Sequence, residues 1–430
     1  MTEKFIIEGG YPLQGTVIPS GNKNSALPLL VACLLTDEAV TLHNIPQIGD
    51  VLSIRKLLEG LGVKFTDVDE HTWILEANDI HQTNIDSNIC ANIRASILLA
   101  GPMVAKYGGI VLPPPGGDVI GRRRLDTHIL AFQTLGVNIW YDDKERMLCF
   151  KSDHLQGADI LLDEASVTAT ENIIMATVLA SGTSIIRNAA SEPHVQELCL
   201  MLNKMGAKIE NIGSNLLLIQ GVDKLHGCEF SIGPDYMEVV SLIGASIVTH
   251  STIRIQNAGR HYLPMVQLIF NRLGVDWEYD DDDLIVSADQ ELFVKPDVGN
   301  AVPQISVMPW PAFPTDLMSI AIVVATQSSG NVLFHDWMYP SRMFFTDKLV
   351  AMGAQIVLCD PHRCIVHGPT QLYGSNLESP DIRAGMALVL AALAAKGHSV
   401  IRNIGQIDRG YENIDQKLAT LGAKISRVQD

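Results

Sequence analysis

Hydrophobic and polar positions fall into blocks that recur along the chain. A helix-like run closing in Leu-Gly or Met-Gly, followed at once by a β-prone segment, appears as "LEGLGVKF", "FQTLGVNIW", "LNKMGAKIE", "FNRLGVDWEY", "LVAMGAQIV" and "LATLGAKIS". Its glycines are Gly62, Gly136, Gly206, Gly274, Gly353 and Gly422, about 70 residues apart. Each stands where a helix C-cap needs a residue that accepts the left-handed conformation. A second marker has the same period: an apolar helix, a small-residue turn, then a strand ending near Asn. It reads "LLVACLLTDEAVTLHNI", "IIMATVLASGTSIIRNA", "LIGASIVTHSTIRIQNA" and "LVLAALAAKGHSVIRNI", with looser copies at "ILLAGPMVAKYGGIVLPP" and "IAIVVATQSSGNVLFHDW". Hairpins follow several Leu-Gly markers, as in "IWYDDKERMLCF" and "WEYDDDDLIVS". Each unit is thus a helix, a strand, a helix and a β-hairpin in some order. Helices as apolar as "ALVLAALAA" must be buried on nearly all sides. Six such units predict an α/β fold of two similar lobes of three repeats, helices inside and sheets outside. A cleft between two such lobes is the expected ligand site.

The bulk numbers narrow the class. Of 430 residues, 47% are hydrophobic and 18% charged, a folded composition. The net charge of −17 argues against a nucleic-acid binder. The longest apolar runs, "ALPLLVACLL" and "GMALVLAALAA", are too short to span a bilayer and read as buried helices, so no membrane insertion is expected. "MTEKFIIEGG" carries no signal-peptide pattern. Seven cysteines without a C-x-x-C pair read as reduced thiols of a cytoplasmic protein. Cys359 and Cys364 flank "DPHR" and are expected to face each other across a hairpin. "YDDDD" (279–283) is placed at a hairpin tip and lacks the ligand spacing of a calcium loop.

Against this acidic background, "PPPGGDVIGRRRLDTH" (113–128) stands out. Prolines stiffen the approach, Gly116 and Gly117 free the tip, Asp118 occupies it, and Arg122, Arg123 and Arg124 follow, then Asp126 and His128. A loop of this kind is suited to move and to meet an anion.

Four stretches, "SGNKNSALPLL", "GGDVIGRRRLDTH", "PAFPTD" and "IDRGYENIDQKLATLGAKI", together with the six repeats, resemble the enolpyruvyl transferase family over essentially the whole chain. The resemblance implies an inside-out α/β barrel with one lobe over residues 22–233 and the other over 1–21 and 234–430. It implies transfer of the enolpyruvyl group of phosphoenolpyruvate (PEP) to the 3-hydroxyl of UDP-N-acetylglucosamine, with release of phosphate and no metal or other cofactor. Such chemistry requires cations for a phosphate and a carboxylate, an acid for C3 of PEP and a base for the hydroxyl.

By the family's motifs, Lys23, Asn24, Arg123, Arg342, Arg383 and Arg409 would hold PEP. Asp118 would be the acid, standing where most members carry Cys, a minority pattern associated with insensitivity to fosfomycin. Asp316 would act on the acceptor hydroxyl, with Lys23 and Arg409 completing the catalytic set. Asp316 is also positioned to cap the helix that follows it. The nucleotide sugar would meet Arg94, Arg123, Arg124, Leu125, Asp126, Thr127, Ser166, Val167, Asp316 and Met338. Arg122 and Arg124 either add charge for the acceptor phosphates or form a solvated loop face.

The chain departs from the family pattern in three places. Arg124 stands where Pro is common, Tyr236, Val239 and Val240 lie within "PDYMEVV", and Pro340-Ser341 precedes Arg342. These departures leave open a member acting on another uridine nucleotide, and the cysteine-free loop tip leaves open a UDP-sugar sensor without turnover. The branch that uses shikimate 3-phosphate fits less well, because its start resembles Ser-Lys-Ser where this chain has Lys-Asn-Ser. A monomer or weak homo-oligomer is expected.

Overall fold

The computed structural model describes residues 3–80, 85–117 and 124–429. The described chain divides into two compact units, one built from residues 3–20 and 234–429, the other from residues 21–117 and 124–233. Each has its own hydrophobic core.

In the unit that holds both chain ends, three apolar helices pack on one another: Tyr236–Val248, Met318–Ala325 and Ile382–Ala394. Every residue of Tyr236–Val248 and of Met318–Ala325 is buried. The sheets cover them with one face and meet water with the other, so that Arg363–Gly368 alternates strictly between exposed and buried positions.

The sheets share one plan. A short strand pairs in parallel with a longer one, which pairs antiparallel with the second strand of a hairpin. Gln304–Ser306, Gly330–His335, Arg363–Gly368 and Gln355–Asp360 follow it in that order. In the last repeat one strand of the sheet is supplied by the N-terminal segment. Glu3–Glu8 lies antiparallel between His398–Arg402 and Lys424–Gln429. The N-terminal segment also supplies Gln14–Val17 as the parallel strand beside Thr252–Ile255.

The unit of residues 21–233 repeats this plan around helices Lys23–Ala32, Ala100–Tyr107 and Val167–Thr177. Its middle repeat is the irregular one, whereas the other loose sequence copy, with strand Gly330–His335, follows the plan. The helix of the middle repeat is preceded by a 3₁₀ turn, Arg94–Leu99, and its sheet has three strands among the described residues.

All six Leu-Gly or Met-Gly glycines have positive φ, from 83° at Gly274 to 108° at Gly62. The asparagines that end the second marker share a device that sequence alone did not explain. Asn44, Asn188, Asn257 and Asn403 are left-handed, with φ of 58°, 58°, 49° and 57°. Asn44, Asn188 and Asn403 each donate a side-chain N–H to the carbonyl just past the parallel strand, on Ile232, Leu162 and Ser379, at 2.9, 3.0 and 2.9 Å. Asn tolerates this backbone and ties the strand ends together with one group.

The "YDDDD" stretch forms a hairpin tip, with Asp280 paired to Asp283. Cys359 and Cys364 do not face each other. Leu358 opposes Cys364 and Asp360 opposes Arg363, because a bulge at Cys359 shifts the register. Cys364 is buried and Cys359 is exposed. Among the described residues no helix is long and apolar enough to cross a membrane.

Candidate active site

Four of the six buried repeat helices begin with side-chain caps; Ala100–Tyr107 and Met318–Ala325 do not, so Asp316 does not fill the capping position expected of it. Asn22, Ser166, Asp235 and Asp381 each accept backbone N–H groups of the first helical turn. The residues singled out by motif lie at these same ends: Lys23 and Val167 are the first residues of their helices, and Arg383 is the second of its own. Asp316 sits in the 3₁₀ turn Thr315–Leu317 that leads into Met318–Ala325. Helix N-termini carry partial positive charge and free N–H groups, which suits anionic substrates.

In the unit holding the chain termini, Asp316 receives two guanidiniums. Arg342 Nη2 donates to Oδ1 at 2.7 Å and Arg383 Nε to Oδ2 at 3.4 Å. Asp381 lies 4.0 Å from Arg342 Nη1. Both arginines are 5% exposed. Burial alone would lower the pKa of Arg342, but the charges of Asp316, Asp381 and Asp336 outweigh it, and the net shift is upward. Burial likewise opposes the charge on Arg383, while Tyr411, Asp316 and Asp235 reverse the effect. Arg342 Nε and Arg383 Nη1 are buried and have no acceptor among the described residues. A buried donor without an acceptor is costly, and an anionic ligand would satisfy both. Arg409 is half-buried and donates from Nη1 to Gln406 Oε1 at 3.0 Å. Met338 packs against the core, with its backbone N–H on Asp336 Oδ1 at 3.0 Å.

In the other unit, Lys23 Nζ is 2.7 Å from Asp50 Oδ2, both side chains 9% exposed. Asn24 follows in the first turn, its backbone N–H capped by Asn22. Arg94 Nη2 donates to the carbonyl of Arg124 at 2.7 Å. Arg124 is committed to two carboxylates, Asp126 at 3.0 Å and Asp163 at 3.4 Å. Leu125 is half-buried ahead of the helix Asp126–Thr134, and Thr127 Oγ1 donates to Asp163 Oδ1 at 2.7 Å. Ser166 caps the helix that Val167 begins. Asp118, Arg122 and Arg123 lie outside the described residues.

Three residues with clear structural roles escaped the motif reading. Asp336, fully buried, accepts from the Thr315 hydroxyl and from the N–H groups of Met338 and Tyr339, so it steadies both the Asp316 turn and the Met338 segment. Burial raises its pKa, against the Thr315 hydrogen bond and the Arg342 charge. Its sequence signal was its place: it occupies the Asn position of a loose repeat copy. Asp381 caps the helix that "IRAG" opens, and an Asp directly before an apolar run is the local signal for it. Arg427 contacts Asp408, Asp415 and Glu3, and nothing local in the sequence reveals this.

The family model described as EPSP synthase (3-phosphoshikimate 1-carboxyvinyltransferase) matches residues 7–418. The chain belongs to the enolpyruvyl transferase family. Relatives in this family include UDP-N-acetylglucosamine 1-carboxyvinyltransferase of Treponema denticola, 51% identical over 98% of this chain and 98% of that protein. The protein of the same name from Bradyrhizobium diazoefficiens is 52% identical over 99% and 98%. The crystal structure of the enolpyruvyl transferase NikO from Streptomyces tendae covers 100% of this chain and 99% of its own, with a TM-score of 0.88 at 22% identity. An EPSP synthase from Acinetobacter baumannii covers 100% of both chains, with a TM-score of 0.76 at 15% identity. Those two likenesses concern the fold, and they extend the mixed α/β plan of the enolpyruvyl transferases to every repeat of this chain.

Proposed function

We propose that the chain transfers the enolpyruvyl group of PEP to the 3-hydroxyl of UDP-N-acetylglucosamine and releases phosphate. The observation that carries the reading is the pair of buried, charged guanidiniums on Asp316, each with a donor atom lacking an acceptor among the described residues. Two forked cations suit the phosphate and carboxylate of PEP. The acceptor is favoured by relatives more than 50% identical over nearly their whole length that carry it in their names.

In this reading, Lys23, Asn24, Arg123, Arg342, Arg383 and Arg409 hold PEP and stabilise charge as it develops. Asp118 gives a proton to C3, the acceptor oxygen bonds to C2, and Asp316 takes the hydroxyl proton. In the second step C3 gives up a proton, the C2–O bond to phosphate breaks, and the enolpyruvyl double bond reforms. The reaction is polar throughout and transfers no electrons to a redox partner. Arg94, Arg124, Leu125, Asp126, Thr127, Ser166, Val167 and Met338 hold the nucleotide sugar. The role fits a cytoplasmic supplier of peptidoglycan precursors, and through them cell shape and division. Asp at the loop tip makes the enzyme insensitive to fosfomycin, since a carboxylate is a poorer soft nucleophile than a thiolate.

The test is ³¹P and ¹H NMR of PEP mixed with UDP-N-acetylglucosamine. Phosphate should appear in step with vinyl protons on the sugar nucleotide. Phosphate without a vinyl ether product would mean hydrolysis and would overturn the transfer.

A further inference from the structure

We propose that Asn172 and His128 form a buried positioning hub for the acceptor segments, a proposal that rests on the assignment of Arg94, Asp126 and Ser166 to the nucleotide sugar. The two residues are 0% and 1% exposed. Asn172 Nδ2 donates to the Ile97 carbonyl at 2.9 Å and to His128 Nδ1 at 3.1 Å. Its Oδ1 accepts from the Gly101 N–H at 2.7 Å. Because Nδ1 of His128 accepts, Nε2 carries the proton, and it lies 3.1 Å from Thr168 Oγ1.

The amide and the ring together thus join three segments, the third being the helix that carries both Asn172 and Thr168. Ile97 belongs to the 3₁₀ turn that starts at Arg94, His128 to the first turn after Asp126, and Thr168 to the first turn after Ser166. The backbone is built for this contact. A Cβ at Gly101 would lie 2.6 Å from the Asn172 carbonyl oxygen and 3.0 Å from Oδ1, so only glycine brings its N–H this close. Burial and the charge of Arg94 hold the His128 pKa down to about 3, so the ring stays neutral and the hydrogen-bond pattern is constant across ordinary assay conditions. A fully satisfied buried polar network fixes one arrangement where an apolar core would tolerate several. Here the arrangement fixed is the spacing of the groups that would read the acceptor. The hub residues touch no substrate in this scheme; they act through Arg94, Asp126 and Ser166.

The test compares wild type with Asn172→Leu, which loses all three bonds, and Asn172→Asp, which keeps an acceptor for the Gly101 N–H but loses both donations to Ile97 and His128; both are near Asn in volume. UDP binding is measured by calorimetry, and KM for each substrate by phosphate release. The hub predicts a Kd for UDP and a KM for the sugar nucleotide at least tenfold higher, with KM for PEP changed less than twofold. If those variants do not fold, His128→Asn carries the same test, with a two- to fivefold rise. A folded variant that is less heat-stable but binds UDP as the wild type does would overturn the hub and leave the acceptor assignment intact. Failure of wild type to bind UDP would overturn the acceptor assignment, and the hub with it.

Discussion

Arg427→Met should loosen the segment that carries Arg409. Arg427 binds Asp408 through two bonds of 2.8 Å each, Asp415 at 3.0 Å and Glu3 at 3.0 Å. Its guanidinium also lies 5.0 Å over the Phe5 ring. Glu3, 37% exposed, contributes about 0.5 kcal/mol. Asp415, 10% exposed, would be left charged and poorly solvated, at a cost of about 2 kcal/mol. Asp408 is intermediate, at about 1 kcal/mol. The total is about 3.5 kcal/mol, which at a urea m-value of about 3 kcal/mol/M moves the midpoint of the corresponding unit by about 1 M. Lys in place of Arg keeps the charge but loses the fork, and should recover no more than half of this. Asp408 and Asp415 bracket the stretch containing Arg409 and Tyr411. The Tyr411 hydroxyl is 3.0 Å from Ser241 Oγ and its ring lies 5.5 Å from the Arg383 guanidinium. KM for PEP should therefore rise about tenfold. A midpoint shift below about 0.3 M, or an unchanged KM for PEP in a destabilised variant, would refute the clamp.

Other expectations concern the acid loop and a buried carboxyl. Asp118→Ala should lose turnover yet keep UDP-sugar binding, and unchanged turnover would remove Asp118 from the acid role. Asp118→Cys should become open to time-dependent inactivation by fosfomycin, with the adduct on that residue by mass spectrometry. Glu171 is fully buried, and burial together with the charge of Glu192 holds its pKa well above the ordinary 4.5. The folded state therefore keeps a proton that the unfolded chain gives up as pH rises past that value, so this group's contribution is complete at lower pH and declines above it. Glu171→Gln should flatten the loss of stability on going from pH 5 to pH 8, by at most about 1.4 kcal/mol per pH unit. An unchanged slope in urea titrations would show that the carboxyl ionises normally.

Much of this molecule was legible along the chain because its repeats are local. Gly62 and its five counterparts announced helix ends, and Asn188 and its counterparts marked strand ends, since each residue type answers a backbone demand at its own position. Lys23, Arg383 and Asp316 were legible as motifs, and the fold gives the reason: they open the buried helices, where the backbone itself favours anions. What local reading lacked was partners. Arg427 and Glu3 are 424 residues apart in the chain and meet through strands that pair the two termini. Asn172, Gly101 and His128 read as an ordinary helix residue, a small residue and the tail of an arginine loop until packing joins them. The pairing of Cys359 with Cys364 failed because one bulged residue turns a side chain to the opposite face. Arg124 read either as charge for the acceptor phosphates or as a solvated loop face, and neither reading showed that Asp126 and Asp163 hold it.

The most direct measurement is phosphate release from PEP with UDP-N-acetylglucosamine, UMP and shikimate 3-phosphate offered separately. Release is expected with the sugar nucleotide alone. Release with either of the others but not with the sugar nucleotide would move the reaction to another acceptor. No release with any of them, alongside measurable UDP-sugar binding, would contradict catalysis and make the protein a sensor of the nucleotide sugar.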